Sequence, residues 1–117
     1  MALDRFVYWD EEKPSITEVV ETIRCYLGGV GSIDEIIQRG DAHEVYVNLP
    51  GKGTHPLEWK RPELADTHRP DRWIEIYLTD KYIDVITRNH DSFTNDLANG
   101  LAAGFECYWQ GKWERNG

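Results

Sequence analysis

The alternation of hydrophobic and polar residues predicts strands in four segments of the chain. Arg5–Trp9 alternates aromatic and aliphatic residues, and Glu44–Leu49 alternates apolar and polar ones. Trp73–Thr79 and Tyr82–Arg88 alternate strongly on either side of a tight turn with the sequence TDK. These last two segments therefore predict a β-hairpin.

Two further segments have the 3.6-residue periodicity of amphipathic helices. The first begins after Ser15, which has capping-box spacing with Glu18, and it ends at the glycines of GGVG. The second begins at Asp91 or Ser92 and ends at Gly111, where the sequence KWE predicts a short final strand. Its predicted apolar stripe consists of Phe93, Leu97, Leu101, Phe105, Tyr108 and Trp109.

One segment, Ile33–Gln38, fits two structures. It could be a helix capped by Ser32, or a strand that turns at RGDA into Glu44–Leu49. We favour the hairpin, because RGDA has the composition of a turn and the following segment alternates cleanly. A long connection, residues 50–72, then leads to the next hairpin. Connections longer than about 15 residues are uncommon inside a domain and often serve a function.

The order of these elements predicts the fold. Residues 1–117 form a single domain in the order strand, helix, hairpin, connection, hairpin, helix. One apolar sheet face and two apolar helix faces must bury each other. We therefore expect an α+β two-layer sandwich, with a mostly antiparallel sheet of four or five strands and two helices on one face.

This architecture leaves the second face of the sheet open. If the isoleucines, valines and leucines of each strand point at the helices, aromatic and acidic side chains point away from them. The residues concerned are Tyr46, Trp73, Glu75, Tyr77, Tyr82 and Asp84. Aromatic anchors surrounded by carboxylates suit a basic protein partner. Two alternatives stay open, namely cross-strand pairing that only stabilises the sheet and burial of the face against a second copy.

The connection contains the sequence LPGKGTHPLEWKRP, which invites a phosphate-binding hypothesis. The spacing does not fit. The phosphate-binding loop needs four residues between its first glycine and its Gly-Lys pair, and Ser or Thr directly after the lysine. Four prolines stiffen the connection. Trp59 either anchors it to the body of the protein or contacts a partner. An enzyme would use the connection as a lid, with Lys52, His55 and Arg61 over the sheet.

Composition excludes several classes of function. The formal net charge is −8, from 21 acidic and 13 basic residues, which argues against nucleic acids and anionic membranes as partners. The N-terminal residues lack the features of a signal peptide, so we expect a cytoplasmic protein. The two cysteines, Cys25 and Cys107, match no metal or redox motif and are expected to be free thiols.

Catalysis is not favoured by the sequence. No serine lies in a nucleophile elbow, and no histidine pair has metal-ligand spacing. Glu44, Glu75 and Asp84 could hold magnesium if their side chains met, but no ligand motif accompanies them. We therefore expect no cofactor.

The preferred interpretation is a small acidic protein-binding module that engages a basic partner through the open sheet face. Size, charge and architecture are analogous to those of immunity proteins and secretion chaperones. The alternatives are a small enzyme with residues 50–72 as a lid and a homodimeric adaptor. The second helix bears on these alternatives, because Gly100 and Gly104 indicate close approach either by the first helix or by a second subunit.

Overall fold

Six strands and two helices make up the described part of the chain. The computed structural model describes residues 2–9, 12–52, 71–88, 91–109 and 112–116. The helices are α1 (Ile16–Leu27) and α2 (Ser92–Trp109). The strands are β1 (Asp4–Tyr8), β2 (Ser32–Arg39), β3 (Ala42–Lys52), β4 (Asp71–Leu78), β5 (Ile83–Ile86) and β6 (Lys112–Asn116).

The strands form one sheet in the order β2-β3-β4-β5-β1-β6, and neighbouring strands are antiparallel. Both helices pack against the same face of this sheet. The predicted α+β two-layer sandwich is therefore confirmed. The sheet has one strand more than the expected four or five, because the C-terminal segment pairs with β1 as β6.

The predicted inward residues of the strands form the core. Alternate residues of β3, β4 and β5 are almost completely buried against the helices, and α1 contributes Val19, Ile23 and Leu27 to the same cluster. The strand residues are Val45, Val47, Leu49, Ile74, Ile76, Leu78, Ile83 and Val85. This burial is the main source of stability, at about 1.5–3 kcal/mol for each large aliphatic side chain.

The caps of α1 are those that the sequence predicts. The hydroxyl of Ser15 accepts a hydrogen bond from the backbone N–H of Glu18 at 3.1 Å. At the other end Gly28 has a φ of +58°, and its N–H donates to the carbonyl of Arg24. Glycine adopts this left-handed conformation without a steric penalty, so the helix ends there.

The segment Ile33–Gln38 is a strand, as favoured above. It pairs with β3 through a turn in which Gly40 has a φ of +61°. The register of the pair shifts between Ile33 and Glu35, which marks a β-bulge. β2 is the first strand in the sheet order, so it lies at one edge of the sheet.

The connection between the two hairpins is shorter than predicted. β3 continues past Leu49 to Lys52, which pairs with Asp71 at the start of β4 after an irregularity in the register. Both ends of the 50–72 segment thus belong to strands. Residues 53–70, which include Trp59, lie outside the described residues.

A buried arginine ties the sheet to α2. Arg5 lies in β1 and is fully buried on the helix side of the sheet. Its guanidinium donates to backbone and side-chain oxygens from three parts of the fold. The acceptors are the carbonyls of Leu3 and Val85, the hydroxyl of Thr87 and the side-chain carbonyls of Asn95 and Asn99. Hydrogen bonding of this kind is what makes a buried charge tolerable.

The apolar stripe predicted for α2 is displaced. Leu101 and Phe105 are buried as expected, but the buried side centres on Ala98 and Ala102. The side chains of Tyr108 and Trp109, which complete the predicted stripe, lie outside the described part of the structure. Phe93 is 38% exposed and lies under the guanidinium of Arg72, 4.7 Å from the ring centre. The reason lies in Arg5, because α2 has to present two asparagines to that buried guanidinium. Apolar periodicity alone does not reveal this requirement.

The two helices approach each other at Gly100. A Cβ atom at this position would overlap the hydroxyl of Tyr26 in α1, whereas one at Gly104 would meet no atom within 4 Å. The approach by the first helix is therefore confirmed at one of the two glycines. Both cysteines are free thiols, as predicted, and both are exposed. Within the described residues, neither helix has an apolar stretch that would suffice to cross a membrane.

Candidate binding face of the sheet

The sheet face opposite the helices, here called the outer face, carries the predicted partner-binding residues together. Cross-strand pairing aligns Tyr46 with Glu75 and Tyr77 with Asp84, and directly paired residues share a face. Trp73 and Tyr82 lie two positions from Glu75 and Asp84 on the same strands, so they share this face as well. Of the predicted site residues, only Trp59 lies outside the described part of the chain.

Glu75 is the centre of a hydrogen-bond cluster on the outer face. Its carboxylate accepts from the indole N–H of Trp73 at 3.0 Å, from the hydroxyl of Tyr77 at 2.7 Å and from the guanidinium of Arg88. Burial alone would raise the pKa of Glu75, but the hydrogen bonds from Arg88, Tyr77 and Trp73 outweigh burial and hold it below its usual value. Glu75 is therefore ionised at neutral pH and already bound to three donors.

The cluster continues towards the β2 edge. The hydroxyl of Tyr46 donates to the carboxylate of Glu44 at 3.3 Å, and the guanidinium of Arg39 donates to the same oxygen at 3.0 Å. Burial and the hydrogen bonds with Glu75 and Tyr46 raise the pKa of Tyr77, so its hydroxyl stays protonated. The tyrosine hydroxyls therefore join the carboxylates of β3 and β4 into one network.

Asp84 is not the exposed carboxylate that the sequence suggested. Only 6% of the residue is exposed, and its carboxyl oxygen accepts the backbone N–H of Arg5 at 3.2 Å. Burial, followed by the hydrogen bond with the carboxyl group of Asp4, raises the pKa of Asp84 to about 8. The physical cause is its place on β5 between Tyr77 of β4 and Phe6 of β1. Asp84 is thus largely uncharged at neutral pH.

An aromatic cluster adjoins Asp84. The ring of Tyr82 makes edge-to-face contacts with Phe6 at 5.0 Å and with Tyr8 at 6.1 Å between ring centres. Such pairs contribute about 0.5–1.5 kcal/mol beyond the burial of their area. Phe6 and Tyr8 were absent from the predicted site, although the alternation in β1 hinted at an aromatic face. The sequence gives no indication that β1 lies beside β5, some 80 residues away in the chain.

Three of the acidic residues on the outer face, Glu44, Glu75 and Asp84, are paired or protonated despite the acidity of the chain. Arg39 pairs with Glu44, Arg88 pairs with Glu75, and Asp84 carries a proton. The same face presents a set of hydrogen-bonded aromatic rings. Among the described residues, no group of three His, Cys, Asp or Glu side chains is placed to hold a metal ion. His55 and Arg61, the residues of the lid hypothesis, lie outside the described ranges.

Comparison of the chain with protein-family models, with curated proteins and with solved structures found no match. Function is therefore inferred from the geometry and charge of the described residues. The outer face is the strongest candidate, since it combines several aromatic side chains with a network that fixes their positions.

Proposed function

We propose that this protein is a binding module that engages a basic protein partner through its outer face. The observation that carries the proposal is the cluster of partly exposed aromatic rings whose polar ends are tied to Glu75 and Glu44. Aromatic residues are enriched at the centres of protein interfaces, where they provide most of the contact area. The biological role in keeping with this size and charge is neutralisation or escort of the partner, as in immunity proteins and chaperones.

The rigidity of the rings favours binding. Association normally costs about 0.5–1.5 kcal/mol for each mobile side chain that becomes fixed. Trp73, Tyr77 and Tyr46 are already fixed by hydrogen bonds, and Tyr82 is fixed between two rings. A partner that covers them therefore loses little of its binding energy to ordering. The sheet itself is a rigid support, because its other side is the core.

The charge of the chain acts at long range and not in the contact itself. The net charge of −8 attracts a basic partner over about one Debye length, roughly 8–10 Å at physiological ionic strength. Glu44 and Glu75 on the outer face are paired with arginines of this chain, so these two carboxylates add little once the surfaces touch. We infer that charge controls the rate of association, whereas the aromatic contact controls the lifetime of the complex.

Capture from lysates of cells that naturally produce the protein tests this function. The bait variant is Tyr8→Ser with Tyr82→Ser, which removes two outer-face rings. The matched control is Tyr26→Ser, because Tyr26 is a similarly exposed tyrosine on α1, away from the outer face. We expect the wild type and the control to retain one and the same basic protein, and the double variant to lose it.

Thermal unfolding of all three proteins accompanies the capture. Both variants are expected to stay folded at the temperature of the experiment, so that loss of the partner reports on contact and not on unfolding. Equal capture by the folded double variant and by the wild type would refute binding through the outer face.

A further inference from the structure

A second surface lies at the β2 edge of the sheet. Within the described residues β2 pairs with β3 only, so alternate N–H and C=O groups along its other side face outwards. Natural edge strands are usually shortened, twisted or covered, because an open edge pairs readily with another strand. The bulge at Asp34 interrupts the first part of β2, but Glu35–Arg39 pairs with β3 in continuous register.

The helical layer leaves an open groove beside this edge. The groove lies between α1 and β2 and has a volume of 440 Å³. Its walls combine aliphatic side chains with polar ones, namely Ile16, Val20 and Ile36 with Thr17, Arg24, Gln38 and His43. A second groove of 280 Å³ continues along β2 to Ile33. Ile36 is 45% exposed although it points to the helix side of the sheet, as its pairing with the buried Val45 indicates. The apolar surface next to the open edge is thus left uncovered by α1.

The charges along β2 are complementary to those of a second β2. Glu35, Ile37 and Arg39 face the outer side, because they pair with Tyr46, Glu44 and Ala42. In an antiparallel pair of two copies centred on Ile37, Glu35 lies opposite Arg39 of the second copy, and symmetry repeats this ion pair.

Neighbouring registers lack this complementarity. A register centred on Ile36 places Glu35 opposite Ile37, and one centred on Gln38 places Glu35 opposite Asp41. Registers in which the twofold axis passes between two residues would place inward-facing residues of one copy opposite outward-facing residues of the other. Arg39 can serve both carboxylates, since it uses Nε for Glu44 and its side chain is 66% exposed.

We propose that two copies of this chain associate by antiparallel pairing of their β2 strands, with the twofold axis at Ile37. The two sheets become one continuous sheet, and Ile36 of each copy becomes covered beside the joined edges. This dimer does not depend on the proposed function, because β2 and the outer face are different surfaces. It would place two outer faces on the same side of one sheet, which raises the avidity for a partner with two binding sites.

Disulfide trapping tests the pairing and its register. In a Cys25→Ser, Cys107→Ser background, Ile37→Cys should give a disulfide-linked dimer under mild oxidation, because directly opposite Cα atoms lie about 4.5–5.5 Å apart. Glu35→Cys or Arg39→Cys alone should remain unlinked. In either variant the cysteines of the two copies would lie four positions apart along the strands, which is about 13 Å at 3.3 Å per residue. A mixture of these two variants should form the mixed disulfide.

Sedimentation equilibrium of the cysteine-free protein provides the second measurement. We expect a dimer at tens of micromolar concentration, and Ile36→Lys should weaken it at least tenfold while the circular dichroism spectrum is unchanged. A monomer at every concentration would overturn the proposal. So would a dimer in which all three single-cysteine variants cross-link equally well, or one in which Ile37→Cys fails to cross-link.

Discussion

Glu75 shows how the same residue can serve stability and function. The sequence places it on the outer face as a carboxylate for a basic partner, and the structure places it there with three donors of its own. Leaving any of these donors without an acceptor costs roughly 1–3 kcal/mol when the group is buried. In the proposed complex Glu75 would therefore act indirectly, by fixing the two aromatic rings that flank it.

Replacement of Glu75 by glutamine should destabilise the protein near neutral pH by about 1–3 kcal/mol, because the hydrogen bonds to a charged acceptor become weaker. The folded-state pKa of Glu75 is lowered, so its stabilisation is present above the ordinary carboxyl pKa and disappears as pH falls through the folded value. Urea unfolding near neutral pH and again at about pH 2–3 measures both effects. Glu21→Gln, at an exposed position of α1, is the matched control. If Glu75→Gln lowered the free energy of unfolding equally at both pH values, this result would contradict the electrostatic role of Glu75.

Asp84 should have the opposite pH dependence. Its folded-state pKa is raised to about 8, so the folded state holds a proton that the unfolded chain releases above about pH 4. Stability contributed by this group is complete below the unfolded pKa and falls as pH rises towards about 8. Above that pH, Asp84→Asn should therefore be more stable than the wild type. The expected gain in the free energy of unfolding is about 1 kcal/mol or more, since a shift of one pKa unit already corresponds to about that amount.

Urea unfolding of the wild type and of Asp84→Asn between about pH 5 and pH 9 gives this comparison. Asp80→Asn, at an exposed position in the β4–β5 turn, serves as control, and its stability should follow that of the wild type. Parallel pH profiles for the wild type and Asp84→Asn would contradict the raised pKa.

At the scale of the elements, the contact between α1 and α2 depends on one of two similar glycines. Gly100 lies against Tyr26, and Gly104 has open space around it. Both lie within α2, where glycine costs about 1 kcal/mol relative to alanine. The two positions therefore form a matched pair for testing the helix packing.

Gly104→Ala should stabilise the protein by about 0.5–1 kcal/mol, because the helix gains propensity and meets no obstacle. Gly100→Ala should fail to stabilise it, because the new methyl group displaces the ring of Tyr26. In a Tyr26→Ala background, Gly100→Ala should become stabilising. Thermal and urea unfolding of the four combinations of Gly100 and Tyr26 measure this coupling. Equal effects at both glycines in the wild-type background would contradict the observed packing.

The elements that the sequence predicts well are those specified by local patterns. The cap at Ser15, the turn at Gly40 and the alternation around Ile76 were each visible within a few neighbouring residues. The features that it missed depend on distant partners. The rotation of α2 follows from the buried Arg5, and the raised pKa of Asp84 follows from the insertion of β1 between β5 and β6. Neither pairing leaves a periodic signal in the sequence.

In the protein as a whole, the net negative charge and the side chains proposed to contact a partner belong to different groups of residues. The chain carries −8, yet Glu44 and Glu75 on the outer face are paired with arginines, and Asp84 is protonated. A uniformly acidic surface would attract basic partners without selecting among them. In the proposed complex the aromatic contact would select by shape, whereas the net charge would bring the partners together.

The association rate constant for the captured partner should therefore fall about tenfold or more between low and high ionic strength. The dissociation rate constant should change by less than about twofold, because Glu44 and Glu75 at the centre of the contact are already paired within this chain. Surface plasmon resonance over a series of salt concentrations separates the two constants. A salt effect mainly on dissociation would show that unpaired charges of the outer face contact the partner.

Site-specific photocrosslinking in the native cells shows which surface of the protein meets its partner. A photoreactive phenylalanine derivative replaces Tyr8 or Tyr46 on the outer face, or Tyr26 or Glu21 on the helix side as controls. Binding through the outer face predicts an adduct with one basic protein from positions 8 and 46, and none with that protein from positions 21 and 26. Adducts with that protein from the helix side alone, or outer-face adducts only with a second copy of this chain, would contradict it.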